Sequence, residues 1–98
     1  MKAYISKRAA RAADQIDDRW RDRADYPTTF AREFLEAVEQ LEANGGLGSA
    51  FPTSKHPALK RVLLPKSHCH LYFEVDAAKQ VIQILHVWDG RRRRPPKL

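Results

Sequence analysis

Long apolar runs are missing from this 98-residue chain, and without one there is no helix that could cross a bilayer. Cysteine is nearly absent too. The single Cys69 has no partner for an internal disulfide, which agrees with a reducing compartment. The start, Met1 to Arg8, is basic but has no apolar stretch of signal-peptide length, so the expected location is the cytoplasm. Neither a Cys-x-x-Cys nor a His-x-x-x-His spacing occurs. His68, Cys69 and His70 adjoin, but strand alternation points Cys69 away from both histidines, so neither a metal site nor a cofactor is expected. No internal repeat is present. A chain of this length has material for one core, and residues 1–98 are read as one domain.

What is there is an ordinary globular composition, 43% hydrophobic and 31% charged. The net charge of +6 is unevenly spread. Residues 1–90 hold thirteen Lys and Arg against twelve Asp and Glu, so the remaining five positive charges sit in the last eight residues. Segment 91–98 is therefore a basic tail, Arg91-Arg92-Arg93-Arg94-Pro95-Pro96-Lys97-Leu98. Such a tail attracts nucleic acid, an acidic protein surface or an anionic membrane. No amphipathic membrane helix adjoins it, which sets the membrane aside.

The hydrophobic period changes once along the chain. Ala3 to Ile5 reads as a short strand and Ser6 as a helix cap. Ala9, Ala13, Ile16 and Trp20 then recur at helical spacing, while Arg8, Arg11, Asp14, Asp18 and Arg19 stay in water. Pro27 suits the first turn of a second helix. That helix has a stripe of Phe30, Phe34, Val38 and Leu41, and it stops at Asn44-Gly45-Gly46. Glu33, Glu36, Glu39 and Glu42 form an acidic spiral on it, read as a solvated face. Residues 47–57 read as an irregular loop.

From Arg61 the period is two. Arg61 to Leu64, Cys69 to Val75 and Val81 to Trp88 form a three-strand meander with turns at 65–68 and 76–79. The middle strand sends Leu71, Phe73 and Val75 to one face and His70, Tyr72 and Glu74 to the other. In the last strand both faces are apolar: Val81, Leu85 and Val87 on one, Ile82, Ile84 and Trp88 on the other. A helix hairpin covers one face only. The second is expected to be left for a partner.

The order of strand, helix hairpin, loop and meander resembles the RelE/ParE superfamily of bacterial toxins across nearly the whole chain. The similarity is most specific in His70 to Val75, in Val81 to Trp88 and in the following Gly90-Arg91-Arg92. It implies an α+β fold with an N-terminal strand and a two-helix antiparallel hairpin packed on a mainly antiparallel sheet. It also implies the toxin of a type II toxin-antitoxin pair, held in a hetero-oligomer by a ParD-like antitoxin, with the ParE-like branch acting non-enzymatically on DNA gyrase. Contacts with target or antitoxin would then fall to Arg61, Tyr72, Ile82, Ile84, Trp88, Arg91, Arg92, Arg93 and Arg94.

The nuclease branch of the same superfamily would instead use Arg61 and Arg92 on the phosphate, with Glu74 or His86 as base. This chain lacks the His or Tyr that many nuclease members carry just after that arginine, which favours the gyrase reading. An inactive antitoxin-binding module is the third reading. Asp89 stands where many ParE-like sequences have a histidine.

Overall fold

The computed structural model describes residues 1–23, 25–92, 94 and 96–98. Strand β1 (Lys2–Ile5) ends at Ser6, whose extended backbone starts helix α1 (Lys7–Arg21). The Ser6 hydroxyl accepts the Ala9 N–H at 3.0 Å and donates to the Leu85 carbonyl at 3.0 Å. One side chain thus caps a helix and ties its start to the sheet. Ser6→Ala is expected to cost about 1–2 kcal/mol, the sum of a lost cap and a lost hydrogen bond. Urea unfolding reads this directly, and an unchanged midpoint would contradict the dual role.

Helix α1 buries Ala9, Ile16 and Trp20, the stripe expected from spacing, with Ala13 packed beside them. Helix α2 (Thr29–Ala43) buries Phe30, Phe34, Ala37 and Leu41, and the two phenylalanine rings lie 5.7 Å apart. Pro27 precedes this helix instead of opening its first turn. The acidic spiral is not simply a wet face. Glu33 accepts the backbone N–H groups of Lys66 and Ser67 and the Ser67 hydroxyl, at 2.6–2.9 Å. Glu42 accepts the Ala3 N–H at 3.0 Å. These two carboxylates tether α2 to the turn at 65–68 and to β1, while Glu36 and Glu39 are exposed.

The sheet also contains β2 (Ser49–Ala50), β3 (Lys60–Leu64), β4 (Cys69–Asp76) and β5 (Val81–Asp89), in the order β1-β5-β4-β3-β2. Only β1 and β5 run parallel. The short β2 falls inside the segment expected to be irregular. Gly48 before it has φ +90°, and a Cβ there would lie 2.8 Å from the Arg61 carbonyl and 3.0 Å from the Phe73 ring. Only glycine fits that approach.

Register explains why one expected face was misassigned. Tyr72 pairs with His86 and Phe73 with Ile84, leaving Leu85 as an extra residue in β5. A bulge of this kind reverses the alternation. Ile82, Ile84 and Val87 consequently share the helix-facing side with Leu71, Phe73 and Val75. Ile82 and Ile84 are both 0% exposed, so they are core residues and not partner contacts.

The second face of the sheet is also not open across its middle, as the patterning had implied. Phe51 packs edge-on to Tyr72 at 5.5 Å between ring centres, and Leu59 and Tyr72 are each 1% exposed. His56 Nδ1 meets Glu74 Oε1 at 2.7 Å. Pro96 of the tail is buried, and the Trp88 indole N–H donates to the Arg94 carbonyl at 2.8 Å. Segment 51–59 and the tail thus cover the middle of this face with the chain's own residues, while Tyr4 on β1 and Leu63 on β3 stay exposed.

Candidate phosphate-binding site

Strand pairing brings several chemistry-bearing side chains together on this outer face. Arg61 of β3 pairs with Tyr72 of β4, and His70 of β4 pairs with Trp88 of β5. Past the end of β5 the chain makes a four-residue turn from Asp89 to Arg92, closed by the Arg92 N–H on the Asp89 carbonyl at 3.1 Å. The Asp89 carboxylate accepts the Arg91 N–H at 3.0 Å, which is how aspartate commonly stabilises a turn. Gly90 inside it donates to the His68 carbonyl at 2.7 Å, and an added Cβ would come within 2.5 Å of that oxygen. Glycine at position 90 therefore has a steric basis.

This turn delivers Arg92 to a concavity of about 140 Å³ lined by Arg61, His70, Tyr72, Trp88, Gly90, Arg92 and Arg94. Two guanidinium groups are held in place by rings. Arg61 lies 4.4 Å from the centre of Phe51, and Arg92 lies 4.8 Å from the centre of Trp88. Stacked arginines keep their hydrogen-bonding edges for an anion. Three arginines around one hollow, with no carboxylate among the described residues that line it, make a site for phosphate or carboxylate groups.

Of the residues expected from sequence to contact a target, Arg61, Tyr72, Trp88, Arg92 and Arg94 meet here. Tyr72 contributes wall and not contact surface, since Phe51 covers it. Arg91 is turned to Asp89, with its Nε 3.4 Å from the carboxylate, and does not line the hollow. Burial alone would raise the Asp89 carboxyl, but the Arg91 N–H and the charges of Arg91 and Arg19 outweigh it and hold the group below the usual carboxylate range. Arg93 lies outside the described residues.

Neither base suggested by the sequence reaches the hollow. Glu74 is engaged by His56, and His86 is 6% exposed beside another cavity of about 60 Å³, between Ala12, Ile16 and Arg19 of α1 and the same Trp88 and Arg92 that border the hollow. The histidine that does line it is His70, which sequence reasoning considered only for a metal. Its place on the Tyr72 side of β4 was the available signal. Burial first, and then the Arg61 charge, lower its pKa, so its ring is neutral at neutral pH and able to accept a proton. Cys69 sits on the opposite, helix-facing side, and burial pushes its thiol up to about 11, which makes it a poor nucleophile.

His86 has a thermodynamic consequence. Burial, together with the charges of Arg8 and Arg92, lowers its pKa from 6.5 to about 4, and its Nδ1 has no hydrogen-bond partner among the described residues. The unfolded chain therefore binds a proton below pH 6.5 that the folded chain does not take up until about pH 4. Stability is full above pH 6.5 and falls across that window by on the order of 3 kcal/mol. His86→Phe should flatten the decline between pH 6.5 and 4 in urea unfolding, whereas an unchanged slope would contradict the assignment.

No family model matches the sequence, and no curated protein matches it. Its architecture nevertheless has clear counterparts: two helices on one face of a mixed five-stranded sheet give the fold of the RelE/ParE toxins. A structure of the chromosomal ParDE TA system from P. aeruginosa is similar over 91% of this chain and 95% of that one, at 23% identity and a TM-score of 0.65. The isolated E. coli RelE toxin is similar over 93% and 85% of the two chains, at 15% identity and a TM-score of 0.63. The intact E. coli RelBE toxin-antitoxin complex is similar over 93% and 98%, at 15% identity and a TM-score of 0.57.

Proposed function

We propose that this chain is the toxin of a type II toxin-antitoxin pair, that a ParD-like antitoxin neutralises it, and that the hollow between Arg61, Arg92 and Arg94 is its working surface. The observation that carries this reading is the convergence of three arginines from β3 and the tail on one hollow, with no carboxylate among the described residues that line it. Its support is the shared fold with proteins described as toxins and as toxin-antitoxin complexes. The target we infer is DNA gyrase, engaged without chemistry while DNA is bound. Glu74 is engaged by His56, and His86 is buried and opens on a different cavity, neither of them lining the hollow, which leaves it better equipped to bind phosphate than to cleave beside it.

His70 favours a second reading, ribosome-dependent RNA cleavage. A neutral imidazole next to two guanidinium groups has the parts for proton abstraction and for stabilising a crowded phosphate. The test is induced expression in a bacterial host, with and without the protein encoded beside this one. Growth arrest relieved by the neighbour is expected, and harmless expression would overturn the toxin reading. His70→Gln separates the targets, because it leaves gyrase inhibition intact but removes RNA cleavage.

A further inference from the structure

The two stacked guanidinium groups at the rim of the hollow are seated differently. Trp88, the ring over which Arg92 lies, belongs to β5 and is fixed by strand pairing. Phe51, the ring beside Arg61, belongs to segment 51–59, which forms neither helix nor strand. Among the described residues no ion pair holds the Arg61 guanidinium, so the Phe51 ring is its seat. What fixes segment 51–59 therefore fixes Arg61. At the base of the segment the Phe51 N–H donates to the Leu59 carbonyl at 2.9 Å. At its tip the Thr53 N–H donates to the His56 carbonyl at 3.1 Å, and the His56 N–H donates to the Thr53 hydroxyl at 3.0 Å. The result is a self-bonded strap. Among the described residues, one hydrogen bond ties positions 52–58 of this strap to the sheet, from His56 Nδ1 to Glu74 Oε1 at 2.7 Å.

We propose that the contact of His56 with Glu74 is a clasp that positions Arg61 through the strap, so that Glu74, which lies outside the hollow, sets the affinity of the hollow for phosphate. The inference rests on the phosphate reading of the hollow and deepens it by naming a positioning residue. The path is short. A carboxylate can only accept, so Nδ1 carries the proton and the imidazole is held to β4. His56 and Thr53 share two hydrogen bonds, and two residues before Thr53 stands Phe51, whose ring meets both Tyr72 and Arg61. Those two residues are cross-strand partners, and Glu74 lies about 7 Å from Tyr72 along the same face of β4. An arginine already held over a ring takes an anion without first losing the freedom of its long side chain, a difference of roughly two- to tenfold in affinity.

Positioning and charge predict effects of opposite sign. Glu74 is an acid on the face that carries the hollow, so its field alone opposes an anion there, and neutralising it would strengthen binding. Breaking the clasp instead weakens binding. Glu74→Gln removes the charge and keeps an acceptor for His56, whereas Glu74→Ala removes both.

The experiment titrates the full chain with inorganic phosphate and follows the Arg61 Nε–H resonance by NMR, which the Phe51 ring current displaces while the two groups are stacked. Glu74→Ala and His56→Ala should move this resonance toward that of a free arginine and weaken phosphate binding roughly two- to tenfold. Glu74→Gln should leave the resonance in place and bind at least as well as the unmodified protein. Phe51→Leu should reproduce the effect of Glu74→Ala, and Phe51→Tyr should not. The side chains of His56 and Glu74 are 32% and 30% exposed, so folding should be kept, and circular dichroism verifies this. Equal effects of Glu74→Ala and Glu74→Gln, in either direction, would reduce Glu74 to its charge and overturn the clasp. An Arg61 resonance unmoved by Glu74→Ala and His56→Ala would overturn it as well. Failure of the unmodified protein to bind phosphate would overturn the phosphate reading and the affinity claim together, whereas a shifted Arg61 resonance in the same variants would still uphold the clasp.

Discussion

Replacing Arg61 and Arg92 together by alanine should abolish growth arrest while leaving the fold in place. Each guanidinium is held over a ring at the rim of the same hollow, so together they set the position of any bound phosphate. Truncating one member of a hydrogen-bonded charge pair at an interface typically costs about 2–5 kcal/mol, or roughly thirty- to several thousand-fold in affinity. The loss to folding is far smaller. A cation over a partly exposed ring contributes about 0.5–1 kcal/mol, so the double variant should unfold within about 2 kcal/mol of the unmodified protein. Toxicity titrated by inducer concentration measures the first quantity and urea unfolding the second. A double variant that is folded and fully toxic would remove the hollow from the account.

The largest effect on stability is expected at Phe73. Its side chain is 0% exposed and lies on the helix-facing side of the central strand, opposite Ile84. The Gly48 backbone approaches the same ring, so β2 is seated against it as well. Phe73→Ala should cost about 3–5 kcal/mol, from lost burial and from a cavity that rigid neighbours cannot fill. Against a total of about 5–15 kcal/mol, that brings the protein close to its unfolding threshold. The change appears as a lower urea midpoint at constant slope, and a cost under about 1 kcal/mol would mean that the neighbours collapse into the space.

Periodicity revealed both helices and four of the five strands, because the apolar stripe of Ala9, Ile16 and Trp20 and the alternation of Leu71, Phe73 and Val75 are signals local to their elements. The two-residue β2 gave no such signal, since pairing with β3 alone defines it. The exposed face was misread for a related reason. Reversal of alternation at Leu85 depends on pairing with β4, which no pattern within 81–89 displays, and Ile82 and Ile84 consequently looked like a surface.

The site was legible in part. Arg61, Trp88, Arg92 and Arg94 stood out as charges and a ring at strand ends, and register brings them together. His70 was passed over because adjacency to Cys69 suggested a metal, while the cross-strand partner that gives it meaning, Trp88, is 18 residues away in sequence. Glu33 and Glu42 looked like solvated charge because the backbone N–H groups they accept belong to a distant turn and to β1. Asp89, where the resemblance implied a histidine, turned out to organise the turn that carries Arg92.

The central claim is most directly tested by supercoiling and DNA-cleavage assays of gyrase with purified, antitoxin-free protein, beside RNA cleavage on programmed ribosomes. The account predicts that gyrase is inhibited, that RNA stays intact, and that Arg61→Ala with Arg92→Ala abolishes the inhibition. Unaffected gyrase, or inhibition that survives the loss of both arginines, would contradict it.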